Sequence, residues 1–156
     1  MRITLLFALI ITHCLVQAGT LTGRVVRVTD VDTIVVLDAG NAQHKIRLQG
    51  IDAPERGQAY GTKSKDHLSD SVAGKFLVVG YDKRDRYERI LGKVLLSNQD
   101  MNLVQVKAGF AWHYKQYQNE QPPSDRELYS QRLKPGKPDE VCGMILVQFL
   151  RGNTVT

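Results

Sequence analysis

Residues 44–55 read His44-Lys45-Ile46-Arg47-Leu48-Gln49-Gly50-Ile51-Asp52-Ala53-Pro54-Glu55. Ile46 and Leu48 fall on one face of an extended chain, with Lys45, Arg47 and Gln49 on the other. That period of two predicts a half-buried strand over residues 44–51. Pro54 and Gly57 then open a loop, which leaves Asp52 and Glu55 just past the strand end. Upstream, Asp38-Ala39-Gly40-Asn41 is a turn signal, preceded by the β-branched run Thr33 to Leu37. Across the acidic turn Asp30-Val31-Asp32, the alternation from Leu21 to Val28 supplies another strand, so three strands follow one another as a meander.

Downstream, residues 59–73 lack alternation, place Leu68 and Val72 four apart and run into Gly74, a left-handed helix terminator. Phe76 to Tyr81 and Ile90 to Leu96 read as the fourth and fifth strands. The segment 82–89 between them carries four basic and three acidic residues, a net of +1, and on charge alone is a solvated turn. Asn102 is expected to cap a second helix whose Leu103, Val104 and Ala108 face inward and which Gly109 closes. Ser124-Asp125-Arg126-Glu127 is a capping box for a third helix, abbreviated by Pro135, Gly136 and Pro138. The expected class is α+β, mainly β: a five-stranded, partly open OB-fold barrel with two to three helices, an architecture often used to bind oligonucleotides.

Length and composition agree with a single domain: 156 residues, 42% apolar and 24% charged, enough to bury one core without disulfide or metal staples. The formal charge of +5 favours anionic partners over cationic ones. Arg2, the apolar run Ile3 to Val16 and the Val16-Gln17-Ala18 ending have the build of a secretory signal over residues 1–18. The run of 14 residues falls short of the ~20 needed to cross a bilayer, and bulky His13 beside Cys14 argues against lipid attachment. The expectation is a secreted or periplasmic protein with no stable membrane anchor. Residues 19–133 would be the working domain and 134–156 a divergent tail. The mature chain would keep 20 basic against 16 acidic residues and only Cys142, so no intrachain disulfide is expected. A monomer is the expected state.

Asp30, Asp32, Asp52 and Glu55 lie at strand ends and loop starts, where clustered oxygens suit a hard cation such as calcium or magnesium. Taken alone, Asp30-Val31-Asp32 also reads as an Asx-type turn. Ile34 and Val35 exclude an EF-hand, and the cysteine and histidine content gives structural zinc nothing to build on. Arg47 and Arg89 have the planar fork that matches phosphate oxygens, and each taken singly reads equally as a surface ion pair.

Three motifs in order, Asp30-Val31-Asp32-Thr33, Arg47-Leu48-Gln49-Gly50-Ile51-Asp52-Ala53-Pro54-Glu55 and Asp85-Arg86-Tyr87-Glu88-Arg89, closely resemble the staphylococcal (micrococcal) nuclease family, from about Leu21 to Ser130. The resemblance implies that Asp32, Asp52 and the Ala53 backbone carbonyl ligate Ca2+. It implies that Glu55 holds or activates the attacking water, that Arg47 and Arg89 stabilise the transition state, and that Tyr87 and Tyr117 line the nucleotide pocket. The implied activity is calcium-dependent, sugar-nonspecific endonucleolytic hydrolysis of DNA or RNA leaving 3'-phosphorylated ends. Of the aromatics Phe110, Trp112, Tyr114 and Tyr117, which could stack on bases, Phe110 and Trp112 are expected in the core.

Three departures stand out. Val31 and Glu88 occupy positions where the family usually has glycine, and similarity ends near Tyr129-Ser130, where relatives continue a long final helix. A domain less stable than its relatives is the expectation from the last of these. The alternative function is a catalytically inactive nucleic-acid-binding module on the same fold, and a more remote one is a metal-free acid/base pair of His44 and His113.

Overall fold

The computed structural model describes residues 18–55, 57–58 and 60–130. The expected signal segment, apart from Ala18, and the tail beyond Ser130 lie outside the described residues. The first three strands are β1 (Gly19–Asp30), β2 (Thr33–Asp38) and β3 (Gln43–Leu48), paired antiparallel in sequence order. β1 and β2 are joined through Val31 and Asp32, with Val28 opposite Ile34 and Asp30 opposite Thr33 after a register shift. A two-residue hairpin normally asks for positive φ, but neither Val31 nor Asp32 has one. Val31 is instead buried in the core, so its branched side chain carries no backbone penalty. The β2–β3 turn is built by Asp38, whose Oδ1 accepts from the N–H groups of Gly40 and Ala42 at 2.8 and 2.9 Å.

β3 is shorter than the alternation predicts. Gly50, at φ 76°, turns the chain out of the strand, and a Cβ there would lie 1.8 Å from the side-chain nitrogen of Gln121. Only glycine fits. Ile51 and Asp52 form a separate strand, β4, followed by helix α1 (Gly61–Val72), which buries Leu68 and Val72 and is followed by Gly74 at φ 73°. β5 (Phe76–Arg84) pairs with β1, and β6 (Ile90–Leu96) pairs with β5. The barrel closes where β3 runs parallel to β6, with Ile46 opposite Ile90, Arg47 opposite Leu91 and Leu48 opposite Gly92. The five-stranded OB-type barrel expected from sequence is therefore present, with Ile34, Val36, Ile46, Leu48, Val79 and Ile90 filling it.

After the short β7 (Gln99–Asp100), helix α2 (Met101–Lys107) begins. Its cap is Asp100, which accepts from the Leu103 N–H at 3.0 Å, and not Asn102. Asn102 sits inside the helix and is fully buried. Its Oδ1 accepts from the Val94 N–H, and its amide nitrogen donates to the carbonyls of Gln49 and Gly92. It thus ties α2 to β6 and to the chain leaving β3, at the seam where the barrel closes.

The last described part comprises β8 (Trp112–His113), antiparallel to β4, a 3-10 segment (Lys115–Glu120) and α3 (Pro123–Ser130). Proline at the first helical position suits α3, because its missing N–H has no intrahelical partner there. Tyr129 anchors this helix: its ring is 1% exposed and its hydroxyl donates to Asp100 Oδ2 at 2.9 Å. Lys93 Nζ meets both oxygens of Asp125 at 2.8 Å. No helix among the described residues is long and apolar enough to cross a membrane.

Two predictions follow from these buried polar links. Replacing Asn102 with Ala strands the Val94 N–H and the Gln49 carbonyl and leaves the Gly92 carbonyl with only the Gln49 N–H, and should cost about 3 kcal/mol in a urea melt. A midpoint close to wild type would show that water takes over these bonds.

The α3 anchor should also fail in alkali. Burial pushes the Lys93 ammonium down, but Asp125 and Asp100 outweigh it and raise the group above its ordinary 10.5. Burial, followed by the charge and hydrogen bond of Asp100, raises Tyr129 above its ordinary 10.0. Both groups bind their protons more tightly when folded. Their contribution is complete below the ordinary values and is lost as pH rises through the folded-state ones. Thermal melts followed to beyond 10.5 should show a steeper loss for wild type than for Lys93→Met.

Candidate active site

β3 carries Ile46 and Leu48 into the core and therefore turns Arg47 outward. The parallel pairing of Ile46 with Ile90 brings Arg89, one residue before β6, to the same end of the barrel. Arg47, Tyr87, Arg89, Tyr114 and Tyr117 all line one cleft of about 490 Å³. The structure therefore gathers both expected phosphate-binding arginines and both expected nucleotide-pocket tyrosines. Tyr87 and Tyr117 are 62% and 47% exposed, available for stacking rather than used as core. Lys83 and Glu120 pair across the cleft wall, joining β5 to the 3-10 segment.

Asp85 makes the turn that delivers Arg89. Its Oδ1 accepts from the N–H groups of Tyr87 and Arg89 at 2.9 and 3.0 Å, and its Oδ2 accepts from Arg89 Nε at 2.7 Å. Burial pushes the Asp85 carboxyl up, but the hydrogen bonds from the Arg89 side chain and from these two amides outweigh it. The group is held below its ordinary range. The solvated turn suggested by net charge is in fact an organised one.

The acidic side joins the arginines through Asp32. This carboxylate is buried, with Oδ2 on Arg47 Nη1 at 2.8 Å and Oδ1 on the Thr33 hydroxyl at 2.7 Å. Thr33 Oγ1 also accepts, at 3.4 Å, from Arg89 Nη1. Asp52 lies on β4 opposite Trp112 and accepts the indole N–H through Oδ2 at 3.0 Å. Ala53 follows it, buried. Glu55 is exposed; its backbone bonds Gln58 in both directions, and its carboxylate meets none of the other candidate residues.

Asp32, Asp52 and the Ala53 carbonyl offer oxygen donors only, which suits a hard divalent cation whose remaining positions go to water and substrate. Among the described residues, no three His, Cys, Asp or Glu side chains gather as a metal group, so any cation here rests on two carboxylates. One oxygen of Asp52 is left over by Trp112, whereas both oxygens of Asp32 already have partners. The donor set fits such a cation in kind, with Arg47 sharing Asp32.

The arrangement has the parts to bind a phosphodiester: two guanidinium groups face one cleft beside exposed tyrosine rings, with Asp32 bonded to one of them. A family model described as staphylococcal nuclease homologue matches residues 45–134, more than half the chain.

The chain belongs to this family.

A protein named as an uncharacterized endonuclease from Haemophilus influenzae is 48% identical over 99 residues, 64% of this chain and 56% of that protein. One of the same name from Escherichia coli is 48% identical over 118 residues, 69% of this chain and 76% of that protein. A micrococcal nuclease of Shigella flexneri is 36% identical over 116 residues, 69% of this chain and 64% of that protein. The chain thus spans little more than half the length of the first of these relatives.

Sequence reasoning gave no role to Thr33 or Asp85, although both lie inside the quoted motifs. Their signal was present, as a hydroxyl beside Asp32 and an acid four residues before Arg89. Trp112 and Phe110 were expected in the core, but both are only half-buried. Phe110 lies against His67, with ring centres 4.5 Å apart, while Trp112 spends its N–H on Asp52. Glu88, standing where the family usually has glycine, adopts φ 61°, a left-handed conformation that disfavours a side chain. Glu88→Gly should therefore stabilise the fold by about 1 kcal/mol in urea melts, and an unchanged midpoint would show that the turn carries no strain.

Proposed function

We propose that this protein is a calcium-dependent nuclease that hydrolyses phosphodiester bonds of DNA or RNA by breaking the bond to the 5' oxygen and leaving 3'-phosphorylated ends. The observation that carries this reading is the convergence of Arg47 and Arg89 on one cleft, each aimed by its own carboxylate. Two guanidinium forks can hold the non-bridging oxygens of a phosphate as negative charge grows on them, and prior aiming by Asp32 and Asp85 avoids reorganisation during the reaction. Tyr87 and Tyr117 offer faces to the flanking bases or sugars. Glu55, exposed and with its carboxylate unengaged by the other site residues, accepts a hydrogen bond from the attacking water and orients it. When bound to Asp32, Asp52 and the Ala53 carbonyl, Ca2+ would polarise the phosphate and its water.

The secretory pattern of residues 1–18 supports export to the periplasm or medium, with the protein acting there as a monomer. Calcium is scarce in cytosol and plentiful outside it, which agrees with that placement.

Digestion of single-stranded and duplex DNA and RNA, with calcium or with a chelator, tests the reading. Cleavage should require calcium and vanish in Glu55→Ala, and Arg47→Ala or Arg89→Ala should each lower kcat by about 10²–10³-fold without unfolding the chain. Near-normal turnover in either variant removes that arginine from the mechanism. Oligonucleotide binding without cleavage at any calcium concentration selects the non-catalytic binding module instead.

A further inference from the structure

We propose that Trp112 is a positioning residue for the cation site, holding one oxygen of Asp52 so that the other points to the metal. The inference rests on the reading of Asp52 as a ligand and adds a residue which that reading does not contain. Trp112 and Asp52 stand opposite each other in a two-residue antiparallel pairing, and the indole Nε1 donates to Oδ2 at 3.0 Å. The pairing is short, but its surroundings fix it. The Tyr114 N–H donates to the Gly50 carbonyl at 3.0 Å, and His113 Nε2 meets Gln121 Oε1 at 2.7 Å. Gln121 in turn lies against Gly50, where a Cβ would clash with it.

The chemistry of the donor is what gives the contact its meaning. An indole N–H has no lone pair to offer a metal and no charge. It therefore fixes the carboxylate rotamer without neutralising it and without competing for the cation. Asp32 is in the opposite condition, since its partner is the full positive charge of Arg47. Of the two acids, Asp52 is the one left with undiminished charge, and Trp112 is what orients it. Partners of this kind typically change metal affinity by about 10–100-fold when removed.

Trp112 is also the only tryptophan in the chain, so its emission reports this one site. The test is a calorimetric calcium titration of the full chain and of Trp112→Phe, which keeps an aromatic ring and removes the donor. It is paired with a titration of the wild-type indole emission. Expected are a Kd raised about 10-fold or more in the variant and a wild-type emission change with the same midpoint as the heat signal. An unchanged Kd in a folded Trp112→Phe, or an emission that stays flat through saturation, overturns the positioning role while leaving calcium binding intact. Should the variant fail to fold, the wild-type emission alone decides. Absence of any calcium binding by wild type overturns the cation site itself, and the role of Trp112 with it.

Discussion

The parallel contact between β3 and β6 is the constraint on which the rest depends. Every other major pairing in the barrel is antiparallel, and all of them except β1 with β5 join strands that follow one another in the chain. The closing contact joins residues more than forty positions apart, and it is the one that sets Arg47 beside Arg89. Its interior is apolar, with Ile46 and Ile90 essentially inaccessible. Its end is secured by Asn102, whose side chain satisfies backbone groups from both sides of the seam. Gly92, opposite Leu48 at the seam, leaves room for the core side chain of Val79 on β5, since a Cβ there would stand 2.3 Å from it. A stable core and a correctly spaced pair of guanidinium groups are thus consequences of the same register.

The five main strands were legible because each is long enough to show alternation, and the turns between them because Asp38 and Gly74 carry local signals. The two-residue strands β4, β7 and β8 have no period to read. Their existence depends on where Gly50 turns the chain and on what α2 brings back to it. Asn102 was misread for a related reason: asparagine near a helix start suggests a cap, but Asp100 two residues earlier does that work and frees Asn102 for the interior. The carboxylates and arginines were visible as residue types. Their roles came from resemblance to a family, because isolated acids and bases on a basic protein read equally well as surface ion pairs. Trp112 illustrates the remaining limit. A large aromatic after a helix is normally core, and only the β4–β8 register shows its N–H meeting a carboxylate.

The charges at the cleft form a connected series rather than separate pairs. Arg47 meets Asp32, Asp32 meets Thr33, Thr33 meets Arg89, and Arg89 meets Asp85. Each guanidinium has at least one edge committed to the protein, which fixes its plane while leaving the fork facing the cleft. The same commitment limits how much positive charge the cleft presents before an anion enters, and keeps two like charges together at tolerable cost.

The order in which this cleft is assembled differs from the order in which its charges are made. Both arginines have been synthesised by residue 89, yet the wall that includes Tyr117 and Glu120 and the indole that steadies Asp52 come more than twenty residues later. A nascent chain that has reached residue 89 therefore holds all of the cleft's cationic groups while still lacking a finished cleft. Completion of the cleft is tied to the arrival of residues 112–120, so its charges and its walls come from opposite ends of the domain.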